Sequence, residues 1–222
     1  MPNPISAQLR FAVLATDVVC FRVASGRLEV LLAKVHLPPF YKNRWGLPGG
    51  IILADETAEQ SVERHLKTKA GIAQVYKEQL ATFSRIDRDP RNRVVSVAYL
   101  ALMHGGEERE PTATETRWCP LAEVPKLAYD HDEILAAATE RLRSKLSYTN
   151  IARYLMPRAF TFSELQRAYE SVLGHVLDKR NFRKRFLSLG LVRATGKKRK
   201  EGAQRPAELF AFTGTGLRTL GL

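Results

Sequence analysis

The chain has 222 residues, is 45% hydrophobic and carries 35 Lys and Arg against 23 Asp and Glu, a formal net charge of +12. This length is enough for two modest hydrophobic cores or one large core, and two domains are favoured. A charge of this sign and size points to a polyanionic partner such as nucleic acid, an anionic membrane surface or a phosphorylated ligand.

The cysteines and the N-terminus exclude two classes of protein. Cys20 and Cys119 have neither a CxxC spacing nor a His cluster near them, so neither a disulfide framework nor a zinc site is indicated. The N-terminus lacks a basic stretch followed by a long apolar core, and the most apolar segment, Phe11 to Phe21, is interrupted by Asp17. We therefore expect a cytoplasmic protein with no membrane partner.

Positive charge is concentrated in the last third of the chain. Residues 1–146 contain 20 Lys and Arg against 18 Asp and Glu, whereas residues 147–222 contain 15 against 5. A surface that binds a polyanion is therefore expected in residues 147–222.

The first two-thirds of the chain predict a sheet flanked by helices. Apolar runs on either side of the Ser25-Gly26 turn predict paired strands, and Asp55 is a candidate N-cap for a helix that Gly71 ends. The predicted elements are strands at Val13 to Val23 and Leu28 to Val35, a loop from Pro38 to Gly50, a helix from Glu56 to Ala70, strands at Gln79 to Ile86 and Val94 to Met103, and a helix from Asp130 to Leu146.

After Ser147 the pattern changes to short helices and a basic hairpin. Thr161 and Glu164 form a predicted capping box, and Gly174 ends that helix. The predicted elements are helices at Asn150 to Leu155, Thr161 to Leu173 and Asp178 to Gly190, then strands at Leu191 to Ala194 and Ala207 to Phe212. This order of helices and hairpin is that of a winged helix-turn-helix.

The helix after the Trp45 to Gly50 loop carries a recognisable motif. Gly50, Glu56 and the run from Arg64 to Ile72 resemble the Nudix box, Gx5Ex7REUxEExGU, where U is a bulky aliphatic residue. Both glycines, the first glutamate, the arginine and the aliphatic positions match. The resemblance implies a Nudix-like fold for the surrounding strands.

Three acidic positions of the box have been lost. In working Nudix hydrolases these glutamates hold divalent metal on one helix face, but here the positions are His65, Thr68 and Lys69. The ammonium of Lys69 can attract a pyrophosphate but cannot deliver a metal-bound hydroxide. We therefore expect binding without turnover, with no catalytic residue and no resident metal, and we expect His65 to be a solvated surface residue.

A competing interpretation keeps hydrolysis. Glu56, Glu59 and Glu63 could recruit a metal at a shifted site, which would make the chain an active hydrolase of ADP-ribose-like nucleoside diphosphates with an accessory nucleic-acid-binding domain. A third interpretation is an RNA-binding or scaffold protein that uses the winged helix for shape recognition.

The helix after Asp178 has an apolar face and a basic face, as a DNA recognition helix requires. Phe182, Phe186 and Leu189 recur at helical spacing and are predicted to be buried, which leaves a basic front. Arginine suits guanine, asparagine suits adenine and lysine suits phosphate. The predicted DNA-binding residues are Lys179, Arg180, Asn181, Arg183 and Lys184 on the helix, and Lys197, Lys198, Arg199, Lys200 and Arg205 in the wing.

The combination resembles the Nudix-related transcriptional regulators of NAD metabolism, the NrtR family. The likeness is carried by the Nudix box and by the segments Arg88 to Arg91, Tyr129 to His131, Asp178 to Arg183 and Arg205 to Phe210. It implies a homodimeric repressor of genes for NAD synthesis or salvage. Such a repressor binds a palindromic double-stranded DNA operator and is released by ADP-ribose or a related NAD-derived nucleotide, with no required cofactor.

The resemblance also implies an architecture and a ligand cleft. The expected α+β fold is a Nudix-like α/β/α sandwich with a mixed sheet in residues 1–146, the ligand-sensing domain, followed by a DNA-binding winged helix-turn-helix in residues 147–222. The predicted ligand-binding residues are Arg44, Trp45, Gly49, Gly50, Glu56, Arg64 and Lys69, with Arg88 and Arg91 as phosphate partners. Exposed apolar surface near Ile134, Ile151 and Leu155 is a candidate for the dimer contact.

Overall fold

The computed structural model describes residues 11–105, 115–200 and 206–220. Its elements are β1 (Val13–Ala24), β2 (Arg27–Leu37), β3 (Tyr41–Gly46), β4 (Gly49–Ile51), α1 (Ala58–Ala70), β5 (Tyr76–Phe83), β6 (Val94–His104), β7 (Thr116–Pro120), α2 (His131–Tyr148), α3 (Phe162–Leu173), α4 (Lys179–Ser188), β8 (Val192–Arg199) and β9 (Ala207–Phe212). Short 3₁₀ turns lie at Leu121–Glu123 and Ile151–Tyr154.

The first seven strands form one mixed sheet. Its order is β3-β2-β1-β6-β5, with β4 paired to β1 and β7 paired to β2. The long β1 runs parallel to β6, from Val13 opposite Val94 to Val23 opposite His104, while its partners β2 and β4 are antiparallel. The predicted mixed sheet is therefore confirmed.

Alternation along β1 explains why helices cover both faces of the sheet. Val18 and Cys20 point to the α1 side, where they pack with Val62 and Leu66. Val19 and Phe21 point to the α2 side and belong to the larger core. Successive strand side chains point to opposite faces, so a strand buried on both sides is apolar throughout. The predicted α/β/α sandwich is confirmed.

The larger core continues from the sheet into the C-terminal winged helix. It includes side chains of α2, of the 3₁₀ turn at Ile151–Tyr154, and of α3, α4, β8 and β9. Phe160 is fully buried within it, and its backbone pairs with Phe210 of β9 in both directions. The winged-helix architecture is confirmed, with α3 and α4 as its helices and β8 and β9 as its hairpin.

Several contacts join the sheet to the C-terminal end of α2 and to the segment that follows it. The rings of Tyr76 and Tyr154 stack with their centroids 4.2 Å apart, and Lys145 pairs with Glu78. The predicted domain boundary between residues 146 and 147 lies in the last turn of α2, and it stays a prediction. None of the described helices combines the length with the hydropathy that a bilayer-crossing segment needs.

The local structure departs from the sequence predictions in several places. The N-cap of α1 is Thr57 rather than Asp55, because Thr57 is extended and forms a reciprocal capping box with Gln60. Residues 41–46, predicted as loop, form β3 because they pair with β2. The strand β7 was not predicted, and β5 begins at Tyr76, three residues before the predicted start.

Truncation of Phe160 tests whether the two parts of the chain share one core. Phe160→Ala should cost about 3–5 kcal/mol of unfolding free energy, because it opens a cavity in a fully buried site. Both tryptophans, Trp45 and Trp118, lie in the sheet, so urea unfolding followed by their fluorescence should report the loss. The control Phe11→Ala removes an 88% exposed ring and should stay within about 0.5 kcal/mol. If Phe160→Ala lowers the urea midpoint measured by circular dichroism but leaves the midpoint measured by tryptophan fluorescence unchanged, the sheet and the winged helix have separate cores.

Candidate functional site

A cleft of about 280 Å³ opens over the N-terminal half of β1, near the C-terminal end of α1. The loop between β3 and β4, the loop after β5 and the residues just before α2 form its walls. Its polar lining is Asp17, Lys34, Lys69, Arg88, Asp89, Arg91, Asn92, Tyr129 and His131.

The floor of the cleft is a buried ionic network. Arg88 donates two hydrogen bonds to Asp130, at 2.9 and 2.8 Å, and one of 3.0 Å to Asp17. Ser96 Oγ donates to Asp17 at 2.7 Å, and His131 Nε2 lies 3.2 Å from the other Asp17 oxygen. His131 Nδ1 in turn accepts the backbone N–H of Leu47 at 2.8 Å. The network thus links β1, the β3–β4 loop and the start of α2.

The Asp17 carboxylate stays ionised in this network. Burial alone would raise its pKa, but the contacts with His131, Arg88 and Ser96 outweigh burial and hold the pKa well below its ordinary value. Burial alone would lower the pKa of Arg88. The hydrogen bonds and charges of Asp130 and Asp17 outweigh burial and raise this pKa above its ordinary value. Each charge is therefore kept by its partners rather than by solvent.

Glycine is required where β4 pairs with β1. A Cβ on Gly49 would lie 2.3 Å from the carbonyl oxygen of Thr16 and 2.4 Å from Asp17 Oδ1. A Cβ on Gly50 would lie 2.8 Å from the ring of His65. These approaches are closer than real Cβ contacts, so β4 can lie against β1 and α1 only because both residues lack side chains.

The three altered box positions occupy different environments on α1. Lys69 Nζ donates to the carbonyl of Gly49 at 2.7 Å and lines the cleft, and burial lowers its pKa. Thr68 Oγ1 donates to the carbonyl of Arg64 at 2.8 Å. His65 was expected to be solvated, but it is only 7% exposed behind Gly50, and its Nε2 has no hydrogen-bond partner among the described residues.

The donor groups on α1 do not fit a divalent metal. Among the described residues, no group of three or more His, Cys, Asp and Glu side chains is arranged to hold one. The acids of the competing interpretation are engaged elsewhere: Glu56 pairs with Arg64, while Glu59 and Glu63 both pair with Lys77, at 3.2 and 2.7 Å. Hard carboxylate oxygens, which Mg²⁺ prefers, do not converge at the box helix.

The structure brings together five of the nine predicted ligand-binding residues. Gly49, Gly50, Lys69, Arg88 and Arg91 line the cleft, and Arg91 also holds Asp89 through two hydrogen bonds of 3.0 and 2.8 Å. Their role in binding a ligand stays a prediction.

The other four predicted residues lie outside the lining of this cleft. Glu56 and Arg64 hold each other and fix the loop before α1, since Arg64 also donates to the carbonyl of Ile51. Trp45 lies under two cations, with Lys34 Nζ 4.2 Å and Arg117 Cζ 4.3 Å from its ring centre. Arg44 is exposed on β3. The position of a residue in or near the Nudix box was therefore not enough to predict whether its side chain lines the cleft.

Several cleft residues were missed by sequence reasoning. Lys34, Asp89 and Asn92 gave no local signal, but Asp17 did, because a buried apolar strand tolerates a carboxylate only where it has a partner. Tyr129 has a left-handed backbone, with φ of 55°, and its ring meets Tyr41 edge to face at 4.8 Å. Tyr129 lines the cleft, and Tyr41 packs against it from outside the lining.

The winged helix presents most of the predicted DNA-binding residues at its surface. All five predicted residues of α4 are exposed: Lys179, Arg180, Asn181, Arg183 and Lys184. Behind them Phe186 is buried and Phe182 half-buried against Tyr169. The predicted burial of Leu189 was wrong, because this residue is 39% exposed at the end of α4.

The wing also presents basic side chains. Lys197, Lys198 and Lys200 are exposed, and β8 extends to Arg199, further than predicted. Arg205 lies outside the described residues. The DNA-binding role of each residue stays a prediction.

The residues expected at a dimer contact are inside the protomer. Ile134, Ile151 and Leu155 are at most 2% exposed and belong to the larger core. The prediction that they offer exposed apolar surface was wrong, because α2 packs on the sheet with the face that carries Ile134.

Comparison with known proteins matches both parts of the chain. Residues 13–138 match the family model of the NUDIX domain, and residues 152–212 match that of the NrtR DNA-binding winged helix domain. A protein of Acinetobacter baylyi named ADPR responsive transcriptional repressor NtrR is 36% identical over 205 residues, which cover 90% of this chain and 81% of the relative.

Two solved structures from Shewanella oneidensis are also similar. NrtR complexed with a 27mer DNA has a TM-score of 0.80 at 36% identity, and the match covers 90% of this chain and 93% of that chain. The NUDIX domain of NrtR complexed with ADP ribose has a TM-score of 0.55 at 37% identity, covering 63% of this chain and 93% of that chain. The similarity thus extends through the sheet and the winged helix.

The buried His65 should make folding stability depend on pH. Burial and the cations of Arg64 and Lys69 lower the pKa of His65 from 6.5 to about 4. Between these two pH values His65 is therefore protonated in the unfolded chain but neutral in the folded chain. Unfolding free energy should therefore fall as pH falls through this window. Between pH 7 and pH 5 the wild type should lose about 2 kcal/mol more than His65→Gln. Urea unfolding at both pH values measures the difference, and equal losses would contradict the assignment.

Proposed function

The chain belongs to the NrtR family of Nudix-related transcriptional regulators, and from that premise we propose that it represses genes of NAD synthesis or salvage. It binds a palindromic DNA operator as a homodimer through its winged helix. ADP-ribose, or a related NAD-derived nucleotide, binds in the cleft beside α1 and releases the protein from DNA. No cofactor is required for either step.

The observation that carries the proposal is the position of Lys69. It stands at a box position where a hydrolase has a glutamate, its ammonium lines the cleft, and Lys34, Arg88 and Arg91 line the same cleft. A diphosphate needs positive charge to offset its own, and the ammonium groups of Lys69 and Lys34 supply it without a metal ion, whereas the charges of Arg88 and Arg91 are already paired with carboxylates. The ring of Tyr129, which lines the cleft and packs against Tyr41, offers an aromatic surface against which a nucleobase can stack.

The same charge pattern supports binding without hydrolysis. Cleavage of a diphosphate by this fold needs a metal-activated water, and the α1 side chains that would hold the metal are an imidazole, a hydroxyl and an ammonium. A fixed ammonium stabilises the bound phosphates but generates no hydroxide. The cleft therefore acts as a sensor, and its occupancy is the signal.

Release from DNA requires the nucleotide to prefer one arrangement of the dimer. A ligand with equal affinity for both arrangements shifts nothing. In the DNA-bound arrangement the two α4 helices lie roughly 34 Å apart, or a multiple of that spacing, so that both enter successive major grooves. The start of α2, fixed to the cleft floor through Asp130 and His131, is the structural connection between the two sites.

Calorimetric titration with ADP-ribose, with and without Mg²⁺, tests the cleft. We expect metal-independent binding that weakens about tenfold or more in Lys69→Met, about 1.4 kcal/mol. The matched control Lys67→Met removes an exposed cation from the same helix and should bind within about twofold of the wild type. Turnover near an ordinary enzyme rate of about 1 s⁻¹ with Mg²⁺ or Mn²⁺ would refute the sensor and favour the hydrolase.

Selection from random duplex DNA tests the repressor. We expect enrichment of an inverted repeat whose half-site centres are about 10 base pairs or a multiple apart, because two symmetry-related helices must reach the same side of the duplex. ADP-ribose in the binding step should reduce the recovered repeat. Recovery of no common sequence would favour an RNA-binding or scaffold role instead.

A further inference from the structure

Two arginines of the basic surface already have partners within the winged helix. We infer that Arg183 on α4 and Arg199 in the wing are positioning residues that join the recognition helix and the wing to the first turn of α3, rather than contacts to DNA. This inference rests on the proposed DNA-binding function, and it divides the basic surface into side chains that shape it and side chains that contact the duplex.

Arg183 is held by aromatic rings and a carboxylate. Its Cζ lies 4.5 Å from the ring centre of Phe162 and 5.2 Å from that of Phe210, and the two rings meet edge to face at 4.6 Å. Its Nη2 lies 3.7 Å from Glu208 Oε2 on β9. A planar guanidinium over aromatic faces is a geometry that lysine cannot reproduce. Arg183 therefore ties α4 to α3 and to the wing at once.

Arg199 is tied to the same turn of α3 by a carboxylate that also caps the helix. One oxygen of Glu164 accepts the backbone N–H of Thr161 at 2.7 Å, which completes the capping box, and the other accepts from Arg199 Nη2. Because the capping box fixes the Glu164 side chain, its second carboxylate oxygen is held in an orientation that accepts a hydrogen bond from Arg199 in the wing. The far end of β8 is thereby fastened to the start of α3.

Among the described residues, the neighbouring cations lack a carboxylate partner. Arg180 and Lys184 on α4, and Lys197, Lys198 and Lys200 in the wing, have no described carboxylate within 4.0 Å. All five are exposed, as is Arg183, so it is the partner and not the exposure that distinguishes Arg183. Their charges are free to displace counterions from a phosphate backbone. Glu208 and Glu164 already offset the charges of Arg183 and Arg199, so these two arginines add little to that displacement.

The salt dependence of binding separates the two roles on α4. The probe is a labelled random-sequence DNA duplex titrated with the full chain at several NaCl concentrations. Loss of one phosphate contact flattens the slope of log K against log [salt] by about 0.9, and we expect this in the matched controls Lys184→Met and Lys198→Met. Arg183→Met and Arg183→Lys should instead weaken binding about threefold or more at an unchanged slope. A slope flattened by Arg183→Met and restored by Arg183→Lys would overturn the inference.

For Arg199 the two roles predict opposite signs. Glu164→Gln keeps an N3 side chain that suits the capping box but removes the carboxylate that holds Arg199. If Arg199 positions the wing, Glu164→Gln weakens duplex binding about threefold. If Arg199 contacts DNA, its release strengthens binding, and that result would overturn its assignment.

Hydrogen exchange without DNA provides a second readout. Backbone amides of β8 and β9 should exchange about threefold or more faster in Arg183→Met and Glu164→Gln, and at the wild-type rate in Lys184→Met. Wild-type rates in all three variants would overturn the inference. A wild-type chain that binds no duplex would refute the proposed function, while the exchange rates would still decide whether the two arginines hold the wing.

Discussion

The arrangement of the cleft depends on two buried carboxylates that share one guanidinium. Asp17 comes from the centre of the sheet, Asp130 from the residue before α2, and Arg88 from the loop after β5. Removing one member of such a group leaves an uncompensated buried charge, which costs about 3–5 kcal/mol, so the three segments must fold together. The floor of the cleft is consequently also the point at which α2 is anchored to the sheet.

Sequence reasoning succeeded where the determinant of structure is local. The α3 capping box needs only Thr161 and Glu164 at the right spacing, and Gly71 ends α1 because a left-handed residue is required there. The Nudix box was found for the same reason, since its offsets lie within one helix and its entry loop. Locality also explains the one capping error, because Asp55 and Thr57 both have suitable side chains and only the backbone path selects Thr57.

Reasoning from the sequence failed where a partner lies far away in the chain. Arg199 and Glu164 are 35 positions apart, so the charge run in the wing gave no indication that one member is engaged. Trp45 lies within the predicted loop, yet it pairs with β2 as part of a strand, where Lys34 and Arg117 cover its ring. Ile134 lies on the apolar face of an amphipathic helix. The sequence does not say whether that face packs within the protomer or against a second copy, and the structure shows that it is buried in the protomer core.

The length of α2 has a mechanical consequence. Its 18 residues span roughly 27 Å, from the ionic anchor beneath the cleft to Thr149, which bridges Thr219 near the end of the described chain. A rigid helix rotated by only about 3° about this anchor would displace its far end by about 1.4 Å, the size of the helix shifts that reset subunit interfaces. Because Lys145 near that end pairs with Glu78 of the sheet, such a rotation requires this ion pair to break or to move with the helix.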